Sequence, residues 1–440
     1  MKPQGLLAAV IVLAVLGGAL YWSNRKQKAD AAKPSTDTVT KILSIPDDQI
    51  KEIKIKKTGA DTTVLDKGSD GKWAITEPKP QRADQDTVKS LVSSIDSLNA
   101  DKTVEDKATD LSAYGLTSPT LDVTVVKNDG KSQDVLIGDD EPTGGGSYAE
   151  LAGNPHVYTI ASYVKTSIDK TPNDLRDKRL LTFDQDKLTR VDLQPANGQA
   201  IEFGKNNQND WEILKPRPLR ADGSQVDELI RKLKDAKMDS TISDEDTKKA
   251  AAGYASGTRV ATASVTDSSG TETLEVRKDK DKNYYAKSSA VDGIYKVTAD
   301  LGDGLDKKID DFRNKKLFDF GWTDPGTIQA GKATFEKSGD KWMSGGKQMD
   351  PSSVQTLVDK LRDLAATKFA DTGGGSEVLD LTVTSNSGKR VEKVSITKQG
   401  DTYFAKRENE PSIYVLDGKS VDELQKSIDD IKEVQPPKKK

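Results

Sequence analysis

The chain has 440 residues, 34 % hydrophobic and 31 % charged, with no cysteine, one histidine and a formal net charge of -4. At about 100 to 200 residues per domain, this length predicts two to four domains, each able to bury a core. Because 67 Lys+Arg nearly cancel 71 Asp+Glu, no basic face for nucleic acid is indicated. The absence of cysteine excludes disulfides, thiol catalysis, Cys-ligated metal and a lipid-modified cysteine anchor. With His156 alone, machinery that relies on several histidines is excluded as well. No cofactor and no metal site is expected.

At the amino terminus, Leu6 to Trp22 (LLAAVIVLAVLGGALYW) runs 17 residues without a charge, at the lower limit of a bilayer-spanning helix. Tyr21 and Trp22 end it where amphipathic rings favour the headgroup layer, and Arg25, Lys26 and Lys28 close it. Ala29-Asp30-Ala31 offers the small-x-small pattern of a cleaved signal peptide, but the three preceding basic residues argue against cleavage. Residues 1–22 are therefore expected to be a single-pass anchor in the cytoplasmic (inner) membrane, contacting lipid through residues 6–22. Charge counting favours neither orientation; the long hydrophilic body behind an apolar amino terminus predicts an extracytoplasmic location. Residues 23–44 read as a flexible linker, and 436–440 as a short basic tail.

The body carries an internal repeat. Trp73 in GKWAITEPKPQRADQDTVKSLVSSI aligns with Trp211 in NDWEILKPRPLRADGSQVDELIRKL and with Trp342 in DKWMSGGKQMDPSSVQTLVDKL. After each tryptophan an aspartate, Asp84, Asp222 or Asp350, sits where a helix N-cap is wanted, and Pro351 takes a first helical position. Apolar residues follow at 0, 3, 4, 7 spacing: Val88, Leu91, Val92, Ile95; Val226, Leu229, Ile230, Leu233; Val354, Leu357, Val358, Leu361. Tyr148-Ala149, Tyr285-Ala286 and Phe404-Ala405 then align as short strands, and Asp174 to Lys178 aligns with Asp311 to Lys315 near a closing helix. Alternating segments bounded by Asp-Gly, Asn-Gly and Ser-Gly predict hairpins. The expected architecture is α+β: a membrane helix followed by three repeated, mainly antiparallel sheet units at 45–185, 186–325 and 326–435, joined as beads with modest contacts.

The Trp73 strand leading to PKPQRAD, the Tyr114-Gly115-Leu116-Thr117-Ser118-Pro119 segment and the RDKRLLTFD stretch resemble the bacterial family built on domain of unknown function 4340. The third copy departs from that pattern, with Gln348-Met349-Asp350 in place of Arg-Ala-Asp. The resemblance implies an envelope protein of no assigned activity, encoded near transport systems of the ABC or gliding-associated type.

Candidate chemical motifs are few. Gly326 to Ala333 matches G-x4-G-K but puts Ala333 where magnesium needs a hydroxyl. Asp279, Asp281 and Asn283 have calcium-loop spacing, with Tyr284 where glycine is required. Ser147 lies nine residues from His156, without the flanking glycines of a nucleophile elbow. Arg82 and Arg220, each just before a helix start, are the candidate anion-binding residues. A salt link to an acidic face is the alternative for both. Trp73, Trp211 and Trp342 are expected as core anchors or, failing that, as a stacking platform for sugar or peptide. Asp84, Asp222 and Asp350 are expected to be caps. Two functions follow: a membrane-anchored, non-catalytic scaffold or accessory subunit presented to envelope transporter subunits, or an extracytoplasmic ligand-binding module for anions or glycans.

Overall fold

A computed structural model describes residues 40–434 apart from 143, 208 and 240–243. The expected anchor at 1–22, most of the linker and the basic tail lie outside the described residues. Among the described residues no helix is long and apolar enough to cross a membrane. The chain divides into two compact units, up to Asp177 and from Lys178 onward.

The fold is α+β, with three antiparallel sheets. In the first, β1 (Ile50–Lys57), β2 (Thr63–Lys67), β3 (Trp73–Glu77), β4 (Gln81–Arg82), β5 (Lys102–Glu105), β6 (Leu121–Lys127), β7 (Ser132–Asp140), β8 (Gly146–Leu151) and β9 (Val157–Ala161) are ordered β4-β3-β2-β1-β6-β7-β8-β9-β5. The third sheet repeats this order in full, while the second shows eight strands among the described residues, ordered as β4 to β9 are without β5. There the helix Asp244–Ser256 packs Ala250 and Tyr254 on Tyr285.

One face of each sheet is covered by the helix that the 0, 3, 4, 7 pattern predicts. Val88, Leu91, Val92 and Ile95 are buried on Gln85–Asp96. The same holds for Val226, Leu229, Ile230 and Leu233 on Gly223–Lys234, and for Val354, Leu357, Val358 and Leu361 on Pro351–Asp363. The strands alternate in register with this face: Ile53 and Ile55 pair with Val125 and Val123 across β1 and β6, and all four are buried.

Each repeat is closed by main-chain hydrogen bonds at two places. First, the residue before the helix cap bridges the chain's closing segment: Ala83 with Arg176, Ala221 with Arg313 and Met349 with Glu433. Second, an opening segment is stitched to the end of the long helix: Ile42 N to Leu98 O at 2.9 Å, Leu180 N to Ala236 O at 2.9 Å and Leu317 N to Leu364 O at 3.0 Å.

These stitches revise the expected boundaries. Ile42 and Leu43 belong to the first core rather than to a linker. Leu180, Leu181 and Phe183 sit in the second core with Leu229, and Leu317, Phe318 and Phe320 sit in the third with Leu357. The repeats therefore run 40–177, 178–314 and 315–434. The closing helix ends one repeat, and the apolar residues immediately after it open the next, because those side chains are apolar enough to need a core of their own.

The opening segment of the second repeat is also held by Asp267, whose carboxylate accepts from Asp184 N at 2.7 Å and Ser269 N at 2.7 Å. The Ser269 hydroxyl first, then these two amides, lower the Asp267 pKa from its ordinary 3.8 to about 2. The folded carboxyl binds its proton less tightly than the unfolded one, so its stabilisation is complete above about pH 4 and is lost as pH falls toward 2. Asp267→Asn is expected to lower the melting temperature at neutral pH, with the gap to wild type closing between about pH 4 and pH 2 in circular-dichroism melts. A fragment covering 178–434 is expected to unfold at a clearly higher urea concentration than one covering 186–434. The shorter fragment lacks Leu180, Leu181 and Phe183, and each large buried side chain contributes about 2–5 kcal/mol.

Candidate functional site

The aspartates that start the long helices are caps. Asp84 accepts from Thr87 N at 2.8 Å, Asp222 from Ser224 N at 3.0 Å and Asp350 from Ser353 N at 2.9 Å. Each satisfies a backbone donor that the helix itself leaves free.

The tryptophans share a second, unforeseen feature. In every repeat a lysine on the neighbouring strand pairs directly with the tryptophan, Lys67 with Trp73, Lys205 with Trp211 and Lys337 with Trp342. Each ammonium lies over its ring, at 5.5, 5.1 and 5.7 Å from the centroid. A cation over an aromatic face contributes about 0.5–1 kcal/mol, and Lys67 and Lys337 are paired in addition with Asp47 and Asp324. Trp73 and Trp342 are buried, at 7 % and 4 % exposure. Trp211 is only half-buried and donates its indole N–H to Asp227 at 3.1 Å.

Arg82 and Arg220 occupy equivalent places on the short edge strand before the cap. Arg82 is half-buried, and its carbonyl accepts from Asp177 N at 2.8 Å. Arg220 reaches out of the second repeat into the third. Its guanidinium pairs with Asp319, donates to the Lys316 carbonyl and to the Tyr414 hydroxyl at 3.1 Å, and lies 2.9 Å from Glu410. The Glu410 contact is an ion pair off the hydrogen-bond axis, since Nε has no aligned acceptor.

Burial acts to lower the Arg220 pKa, but Asp319, Tyr414 and Glu410 outweigh it and raise the pKa above the ordinary arginine value. Behind this contact, Arg407 donates to Glu410 at 2.7 Å and Glu392 at 3.1 Å, while Glu392 accepts from Asp319 N at 2.9 Å. Burial pushes the Glu392 carboxyl up, against the opposing hydrogen bond from Asp319 N and the charge of Arg407.

A second arginine supports the same junction. Arg313 is buried, donates to the Ser412 hydroxyl at 2.9 Å, and lies 3.3 Å from the centre of the Phe369 ring. Repeats two and three are thus clasped rather than strung as beads, and the charge of Arg220 is met by groups of the same chain. Sequence reasoning identified Arg220 but not its partners Asp319, Glu410 and Tyr414, nor Arg313 with Phe369. The available signal was the third copy, where Gln348 and Glu433 replace the arginines at the edge-strand and bridge positions.

The remaining motifs are used locally. Gly326 to Ala333 spans a hairpin whose turn holds Gly331 at φ 58°. Asp279 accepts from the backbone of Asp281 and Asn283 at 2.9 Å each, closing a hairpin tip. Among the described residues no group of three or more His, Asp or Glu could hold a metal ion. Ser147 donates to Asp140 at 2.5 Å and pairs with Ile160, whereas His156 precedes Val157 at the other end of that strand. At about 3.3 Å per residue the two lie roughly 13 Å apart.

A sheet of eight or nine antiparallel strands with one long amphipathic helix, repeated three times and closed each time by its own main-chain bridge, defines an α+β repeat protein. The chain belongs to the family described as Domain of unknown function (DUF4340), which matches residues 73–251 and 211–382. Each match begins on the tryptophan of a repeat, Trp73 or Trp211. No curated protein and no solved structure matches the chain.

Removing one partner from a buried ion pair costs about 3–5 kcal/mol because the other charge stays buried. Arg220→Ala is expected to destabilise residues 178–434 by that amount in urea titrations. In a double-mutant cycle with Glu410→Gln, the two changes are expected to be less than additive.

Proposed function

We propose that this protein is a membrane-anchored, non-catalytic envelope protein that acts as a scaffold or accessory subunit of a transport-type system. Leu6 to Trp22, followed by basic residues, supports a single-pass anchor, and the family resemblance supports an envelope setting. Caps, cross-strand lysine–tryptophan pairs and the arginine clasp use the polar groups that sequence singled out for chemistry. A construction that stiffens a surface and engages its own charged groups suits presentation better than turnover.

The observation that carries the reading is Trp322. It stands 91 % exposed at the opening of the third repeat, with the Arg362 guanidinium 5.6 Å from its ring centre. Tryptophan, tyrosine and arginine are enriched among the side chains that anchor protein interfaces. Tyr163, 77 % exposed in the first repeat, is a second exposed aromatic side chain.

Affinity purification of the full chain from native membranes in mild detergent is expected to bring down integral transporter subunits. Trp322→Ala should weaken that capture at least about tenfold, a loss of about 1.4 kcal/mol. Deleting residues 1–22 should release the protein from the membrane. Capture unchanged by both alterations would overturn the scaffold reading.

A further inference from the structure

Within the unit that starts at Lys178, a cleft of about 850 Å³ lies between the second and third repeats. Its volume falls in the range of small-molecule sites, about 300–1,000 Å³. One wall comes from the second repeat, with Asn206 and Trp211; the other comes from the third, with Lys389 and Arg390; the clasp residues Arg220 and Asp319 are part of the lining.

The charge on the lining balances. Lys205, Arg220, Lys389, Arg390 and Arg407 face Asp210, Glu212, Asp227, Asp319 and Glu392, five cations against five anions. An anion or a cation entering here meets as much repulsion as attraction. A neutral ligand whose groups each donate and accept finds partners of both kinds, and hydroxyls are such groups. Many lining charges are already tied to one another, as Arg220 with Asp319 and Arg407 with Glu392 are. They are therefore held in fixed directions rather than free to collapse onto a counter-ion.

The tryptophan adds an apolar face. Of the three repeat tryptophans, the half-buried one is the one that lines this cleft, while Trp73 and Trp342 are buried in their cores. Its indole is fixed by the bond to Asp227, and the group over its ring is the flexible end of Lys205. A lysine head of this kind can swing into water and uncover the ring. A pyranose presents an apolar C–H face flanked by hydroxyls, which matches an aromatic edge set among amides and paired charges.

We infer that the cleft between repeats two and three is a binding site for a neutral carbohydrate, with Trp211 as the stacking group and Arg390 as a hydroxyl partner. The site is separate from Trp322 and does not rest on the scaffold reading. The test uses the full chain in detergent, titrated with chitotriose, cellotriose and maltotriose by saturation-transfer NMR and calorimetry, with citrate and trilysine as charged contrasts.

At least one trisaccharide is expected to bind with a dissociation constant of about 1 mM or tighter, and more tightly than either charged probe. Trp211→Ala should weaken it about tenfold or more, and Arg390→Gln should weaken it measurably; Trp322→Ala should not. Should Trp211→Ala fail to fold, Arg390→Gln decides alone, since Arg390 is only half-buried and a glutamine amide can still donate toward the Asp319 carbonyl that Arg390 bonds. Absence of transfer to every saccharide at about 10 mM, tighter binding of citrate or trilysine, or binding undiminished by Arg390→Gln would each overturn the inference.

Discussion

Each repeat depends on a short exchange of main-chain hydrogen bonds around its helix cap. Asp84 N donates to Leu175 O, Asp222 N to Phe312 O and Asp350 N to Lys432 O, at 2.7–2.8 Å. Backbone groups next to a packed helix start must find partners, and here the closing segment supplies them. Because the closure is made by main chain, it does not specify the side chains that ride on it. Arg82, Arg220 and Gln348 occupy the equivalent edge-strand position with no change in the ladder.

That freedom is what allows neighbouring repeats to differ. In the second repeat the edge position carries Arg220 and the bridge position carries Arg313, and both reach the third repeat. In the third repeat the same positions carry Gln348 and Glu433, which can supply no arginine to a following copy. The receiving side changes in step. Thr182 N bonds Glu272 at 2.6 Å in the second repeat, and Asp319 N bonds Glu392 at 2.9 Å in the third. Replacing threonine by aspartate there places a carboxylate against Arg220. A buried ion pair adds little net stability but strongly penalises a missing partner, so it selects one neighbour.

The helices and their caps were legible in the sequence because they depend on local rules. Val226, Leu229, Ile230 and Leu233 show their common face by spacing alone, and Asp222 shows its role by preceding them. The fate of the tryptophans was legible only in part. Their place on strands could be read, whereas the lysine over each ring depends on cross-strand register. Boundaries were misplaced by about eight to eleven residues, since RDKRLLTFD reads as one motif although its first residues close one core and its last open another.

By itself, the sequence determined three repeats, their α+β character, the caps and the buried helix faces, since all of these follow from periodicity and composition within a few tens of residues. Tertiary structure decided where each repeat begins, which arginine meets which carboxylate, and which tryptophan borders a cleft. Arg220 and Tyr414 are 194 residues apart in sequence yet hydrogen-bonded. No local rule relates them; only the packing of the second and third repeats against each other brings a donor on one strand to an acceptor on another.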